Sequence, residues 1–321
     1  MKVFFSAFSE RKIRHIIVDT FFIEREVINM LSKQHLVVAL NAIADAHPDY
    51  SVKQIEEEFQ RMAPYVVVPD TIRGYGIPRE MTHYEDGDVN KDTFKINHSS
   101  FSYPADLKSL SKESVQELVS SGHVGEKFGK AVIGGDTNID QFKKSNPELK
   151  ETNPELYYGI LAHLKQDVTF DRLIRTEFDC SEKYEDRFYK LNEQTPLEAA
   201  LGGKAKRGAM FDGKEFRSLI ADIEERGFIY MAGRIYDRTG IMPDQEWFDH
   251  NVKPALDKVY TPEMAESAYK YMGFPDKTKE MLAAKDFSAP VTKAEGNAYE
   301  HAIKQTALEF NPLSAPVGLD R

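Results

Sequence analysis

A single cysteine in 321 residues limits this chain's chemistry at once. Cys180 has no second thiol to pair with. An internal disulfide, a thiolate metal cluster and a CxxC redox motif are therefore excluded, and any metal must sit on His, Asp or Glu. Excess positive charge is missing too. The 42 Lys and Arg stand against 52 Asp and Glu, a formal net charge of -10 that argues against general binding to a nucleic-acid backbone. No stretch approaches the roughly 20 apolar residues that a membrane-spanning helix needs. The short apolar run at the N-terminus meets Glu10 before an adequate signal-peptide core forms. These absences set the expectation of a cytoplasmic protein with no transmembrane segment. The residues present, 41% hydrophobic and 29% charged, are those of a folded globular chain long enough to bury a sizeable core.

Helical spacing dominates the rest. Val27, Met30, Leu31, Leu36, Val37, Leu40 and Ile43 recur as one face of an early helix, and His35 falls within the run. Asp49 or Ser51 caps a second amphipathic helix that begins at Val52. Residues 63–70, rich in valine and closed by Pro69, read as a short extended passage through the core. Residues 71–104, rich in Gly, Pro, Asp and Asn, read as a long loop of the kind that usually carries function. A modest helix follows over 106–121, and 122–138 is glycine-rich and irregular. Asn153 and Pro154 open a central helix running through Arg175. Beyond it come a helix at 181–192, a loop at 199–213 with Lys204, Lys206 and Arg207, and a strong helix at 216–236. The final segment reads as short helices punctuated by Pro243, Pro254, Pro262, Pro275 and Pro290. There is no strand-type alternation, heptad run or internal repeat. The expectation is an all-α protein.

The central helix places His163, Asp167 and Asp171 four residues apart, hence on one face, beside Leu156, Ile160, Leu164 and Val168. Charge rising from the half-buried side of a helix is costly unless it is paired, and a divalent metal or a His–Asp surface pair would account for it. Three further residues join the set. His35 lies near the apolar side of its helix, Asp70 closes the valine run, and His83 sits in the loop that Asp70 opens. Taken singly these read as a core histidine, a turn cap and a surface histidine. Together, His35, Asp70, His83, His163 and Asp167 offer only the sulfur-free ligand types that hard-to-borderline divalent ions accept. They come from helices and one loop, as a metal site inside a helical bundle requires.

The order of the motifs adds to this. Gln34-His35-Leu-Val-Val-Ala is followed by Val-Val-Val-Pro69-Asp70, then Thr82-His83-Tyr84, then Tyr158-Gly-Ile-Leu-Ala-His163-Leu-Lys-Gln-Asp167. Ile139-Asp-Gln-Phe-Lys-Lys and Tyr184-Glu-Asp-Arg-Phe-Tyr-Lys-Leu-Asn flank the last of these. This ordered set resembles the zinc-dependent phospholipase C and P1 nuclease-like superfamily, particularly its intracellular bacterial members, over roughly residues 30–195. The resemblance implies a multi-helix bundle over 1–215, with an insertion at about 90–138 and a C-terminal helical extension over 216–321. It implies that His83, His163, Asp167 and Asp70 surround one zinc ion, with Asp167 bridging to a second that His35 helps hold. The activity implied is phosphoester hydrolysis by metal-activated water, with Asp70 orienting or deprotonating the nucleophile and Arg73 and Arg79 available to bind phosphate.

The chain also departs from the pattern. The only tryptophan is Trp247, so the N-terminal tryptophan ligand of the secreted phospholipases is absent, and His250 and His301 are followed four residues on by Pro254 and Gln305 rather than by Glu. One or two ions are therefore expected rather than three, with Asp171, Glu177 or Asp179 as additional ligands. Two alternatives stand beside this reading. An HD-type phosphohydrolase needs an adjacent His-Asp pair, which the chain lacks. A non-catalytic helical scaffold that kept the fold would need none of the ligands. The substrate could be a phospholipid, a nucleic acid or a small phosphoester, and the oligomeric state is open. Cys180 belongs to no nucleophile motif. Cys180→Ser should therefore leave metal content and hydrolytic activity close to wild type when both are assayed on purified protein.

Overall fold

Two prolines, Pro64 and Pro69, sit inside a helix in this fold, the second directly before Asp70. The computed structural model describes residues 32–75, 101–120, 136–177, 214–270 and 272–313. Among the described residues every regular element is helical. They are α1 (residues 32–46), α2 (Val52–Tyr75), a short 3-10 helix (Leu107–Ser109), α3 (Lys112–Ser120), α4 (Asp136–Ser145), α5 (Leu149–Thr152) and α6 (Pro154–Glu177). They continue with α7 (Lys214–Thr239), α8 (Gln245–Asn251), α9 (Lys253–Val259), α10 (Pro262–Tyr269), α11 (Asp276–Ala283), α12 (Lys293–Phe310) and a last 3-10 turn (Asn311–Leu313). The expected all-α class is what these residues adopt. None of the helices is long and apolar enough to cross a membrane. The helix expected at 181–192 and the basic loop at 199–213 lie outside the described residues.

Residues 63–70 are helical, not extended, and α2 passes through Pro64 and Pro69 to end at Tyr75. The long loop expected from residue 71 therefore cannot begin before residue 76. Valine content suggested a strand-like passage, but Val66, Val67 and Val68 are all fully buried. Burying each is worth about 1.5–3 kcal/mol, whereas β-branching costs a helix only a few tenths. Packing overrides local preference here. Hydroxyl groups reinforce the stretch: Tyr260 donates to the Pro64 carbonyl, and Thr71 Oγ1 donates to the Val67 carbonyl at 2.8 Å.

The described part of α1 is buried on every face from Ser32 to Ala44. A helix with no exposed stripe has to lie at the centre of the bundle. Its polar residues are tied to the surrounding elements. Ser32 donates to Asp70 of α2, Lys33 Nζ to the Gly273 carbonyl, and Asn41 Nδ2 to the Met231 carbonyl of α7. At its solvent end Asp45 meets Arg234 and Arg238 of α7.

α6 packs extensively against both α2 and α12. One buried cluster contains Phe59 and Leu164 together with Tyr299 and Phe310, so residues on both sides of position 215 share a core. A capping box at Thr292 and Glu295 opens α12, and Glu295 also pairs with Arg226 of α7 at 2.6 Å.

The α2–α6 crossing depends on Gly159, where a Cβ would lie 2.5 Å from Tyr65 Cβ and 2.8 Å from its carbonyl carbon. Backbone cannot yield as a flexible side chain does, so Gly159→Ala should destabilise by about 1–3 kcal/mol. Gly296 of α12 has nothing within 4 Å of the same position. Gly296→Ala should instead stabilise by about 0.4–1 kcal/mol. Urea unfolding of the two variants reads both signs.

Candidate metal centre

The centre is built from three helices, beginning with the start of α6. Asn153 accepts the Leu156 N–H at 3.0 Å, and Pro154 occupies the first helical position. The helical phase then sets His163 and Asp167 one turn apart, with His163 Nε2 3.3 Å from Asp167 Oδ2. α1 brings His35 to the other oxygen of the same carboxylate, Nε2 to Oδ1 at 3.3 Å. Asp167 thus faces the Nε2 atoms of two imidazoles whose rings pack on each other, centroids 4.1 Å apart. α2 supplies Asp70, with Oδ1 3.9 Å from His163 Nε2 and Oδ2 receiving the Ser32 hydroxyl at 3.3 Å. One donor atom from each of His35, Asp70 and His163 falls within 4.8 Å of the other two. The histidines are closed off, at 1% and 0% exposure, while Asp70 and Asp167 reach solvent at 16% and 22%. The centre is therefore closed at its imidazole side and open at its carboxylate side.

Four of the five ligands expected from the sequence come together in this way: His35, Asp70, His163 and Asp167. His83 and Arg79 lie outside the described residues. Arg73 is on α2, three residues beyond Asp70, and Asp171 is on α6, four beyond Asp167, but their side chains are not among those described. The other described histidines lie elsewhere. His47 stacks on Tyr50, His250 Nδ1 bonds the Glu246 carbonyl, and His301 is exposed.

Residues that the sequence did not single out complete the surroundings. Gln166, fully buried, places Oε1 2.7 Å from His35 Nδ1. Tyr103 is buried nearby. Burial first, and then the negative charges of Asp70 and Asp167, hold its hydroxyl well above the usual tyrosine range and keep it protonated. Glu224 of α7 is also buried, and its Oε2 makes no hydrogen bond. Burial first and Asp70 second push its carboxyl well above the usual range, with Lys33 opposing. Ser32 was legible in principle, because it precedes His35 by three residues on the same helix. No local signal marks Tyr103 or Glu224.

A carboxyl whose folded value exceeds its ordinary 4.5 favours the fold fully below that pH, and progressively less as pH rises through the folded value. Glu224→Gln removes the loss. In chelator-treated protein its urea midpoint should match wild type below pH 4.5 and rise above it toward neutral pH. Compared with models of protein families, with curated proteins and with solved structures, the chain finds no match.

Proposed function

We propose that this protein is a metal-dependent phosphoesterase similar to phospholipase C and P1 nuclease, holding one or two divalent ions on His35, Asp70, His163 and Asp167. Zinc is the ion of choice, and His83 is the further ligand that the order of motifs implies. One observation carries the reading: the donor atoms of His35, Asp70 and His163 converge within 4.8 Å from three separate helices. The donor set fits such an ion. It has two imidazoles, two carboxylates and no sulfur, and the buried Nε2 of His35 makes no hydrogen bond to satisfy it otherwise. The low cysteine content is in keeping with a cytoplasmic setting.

When bound, a divalent ion supplies water acidified toward neutral pH and stabilisation of charge on phosphoryl oxygens. The chain's own groups divide the remaining work. Asp70 keeps Oδ2 against Ser32 and faces the open side, so it is placed to orient and deprotonate a water beside an incoming phosphoester. Tyr103 retains its proton next to two carboxylates and so offers a neutral donor rather than a second repelling charge. Arg73, one turn beyond Asp70, and Arg79 are assigned to the phosphate.

Protein purified without chelator should carry about one or two zinc ions per chain by elemental analysis and hydrolyse bis(p-nitrophenyl) phosphate, with activity lost in EDTA. His163→Ala and Asp167→Ala should each lose the metal. With free metal at about 100 times its Kd, they should also lose roughly 2.7 kcal/mol of apparent stability. His301→Ala should keep the metal. A wild-type protein that holds no metal and cleaves no phosphodiester would replace this reading with the non-catalytic scaffold.

A further inference from the structure

His35 can serve a cation only through Nε2, because that nitrogen faces Asp167. Nε2 must then carry a lone pair, and the proton must reside on Nδ1. Left alone, a neutral imidazole beside a carboxylate favours the opposite tautomer, with Nε2–H donating to the carboxylate. What lies on the far side of the ring therefore decides whether His35 is a ligand at all. There, Gln166 Oε1 is 2.7 Å from Nδ1. A carbonyl oxygen only accepts, so Nδ1 donates to it. The other end of the amide is also held: Gln166 Nε2 donates to Thr306 Oγ1 of α12 at 3.0 Å. Both partners are fully buried, so water does not compete for these bonds.

We infer that Gln166 and Thr306 form a positioning relay that locks His35 in its Nδ1–H tautomer, so that the C-terminal helix α12 determines a metal ligand on α1. Thr306 Oγ1 accepts from the amide N–H and so supports the orientation that presents Oε1 to His35. A flipped amide would present N–H to Nδ1, drive the ring proton to Nε2 and block the ligand position. Neither residue touches the proposed metal. With the ring proton on Nδ1, His35 Nε2 and Asp167 Oδ1 are both acceptors, 3.3 Å apart. Two acceptors at that distance need positive charge between them.

The affinity part of this inference rests on the metal reading, whereas the tautomer part does not. Nitrogen-15 spectra of histidine-labelled, metal-free protein, recorded in the neutral imidazole form, should show His35 with Nδ1 protonated. His35→Asn identifies the resonances. Gln166→Leu should lose that signature, and Gln166→Glu, which keeps an acceptor at Nδ1, should retain it. Zinc titration against a competing chelator should show about a 10–100-fold loss of affinity for Gln166→Leu. Gln166→Glu should stay within a few-fold of wild type. Thr306→Val, close to isosteric and expected to fold, should show a smaller loss in the same direction. A wild-type His35 protonated at Nε2 overturns the relay, as does a Gln166→Leu variant that binds zinc as tightly as wild type. If wild type binds no zinc, the metal reading falls and the tautomer measurement alone decides the relay.

Discussion

Keeping ionisable groups away from water costs more for a carboxylate than for a neutral imidazole, and the whole centre is arranged around that difference. His35 and His163 are placed inside, and Asp70 and Asp167 at the open edge, so the charged groups keep partial hydration while the neutral ones complete the interior. The two carboxylates still act on their surroundings. Burial first, and then their field, hold the Tyr103 hydroxyl above its usual range, and at Glu224 burial again leads with Asp70 adding to the upward shift. A site with surplus negative charge, whose buried neighbours Tyr103 and Glu224 are shifted against ionising, is suited to a cation.

Holding such groups together against mutual repulsion requires stiff supports, and His35, Asp70, His163 and Asp167 each come from a helix. The course of α2 matters most in this respect. An extended passage would have left Asp70 on a turn, free to face solvent. As helix, the segment sets Asp70 at a fixed phase, anchored by three buried valines just before it, with its second oxygen held by Ser32. Gly159 then lets α2 and α6 approach closely beside the centre.

How much of this was legible in the sequence depends on how local each cause is. His163 and Asp167 are one helical turn apart, and Asn153 with Pro154 marks where that helix begins, so short-range spacing suffices to place them. Asp70 does converge with His35 and His163, but the sequence placed it within the wrong local structure, because valine content and two prolines speak against a helix until burial is known. His35 was recognised as part of an ordered set, yet its partner Gln166 lies 131 residues away and nothing nearby announces the pairing. Gln166 follows His163 by three residues on α6, but that spacing does not reveal that it meets the far nitrogen of His35. Tyr103 and Glu224 owe their altered protonation to tertiary surroundings alone.

The complete burial of α1 also bears on the order in which this chain can assemble. A helix that leaves the ribosome early finds its enclosing partners only much later. Lys33 bonds the carbonyl of Gly273, 240 residues on, and Gln166, which holds His35, leans on Thr306 near the far end of the chain. Contacts so distant in sequence carry a large loop-closure cost and form late. Until α12 is synthesised, the nascent chain carries an apolar helix in need of shelter and a histidine whose partner Gln166 lacks its bond to Thr306. Maturation of the centre is thereby tied to completion of the fold, and incomplete chains are left without it.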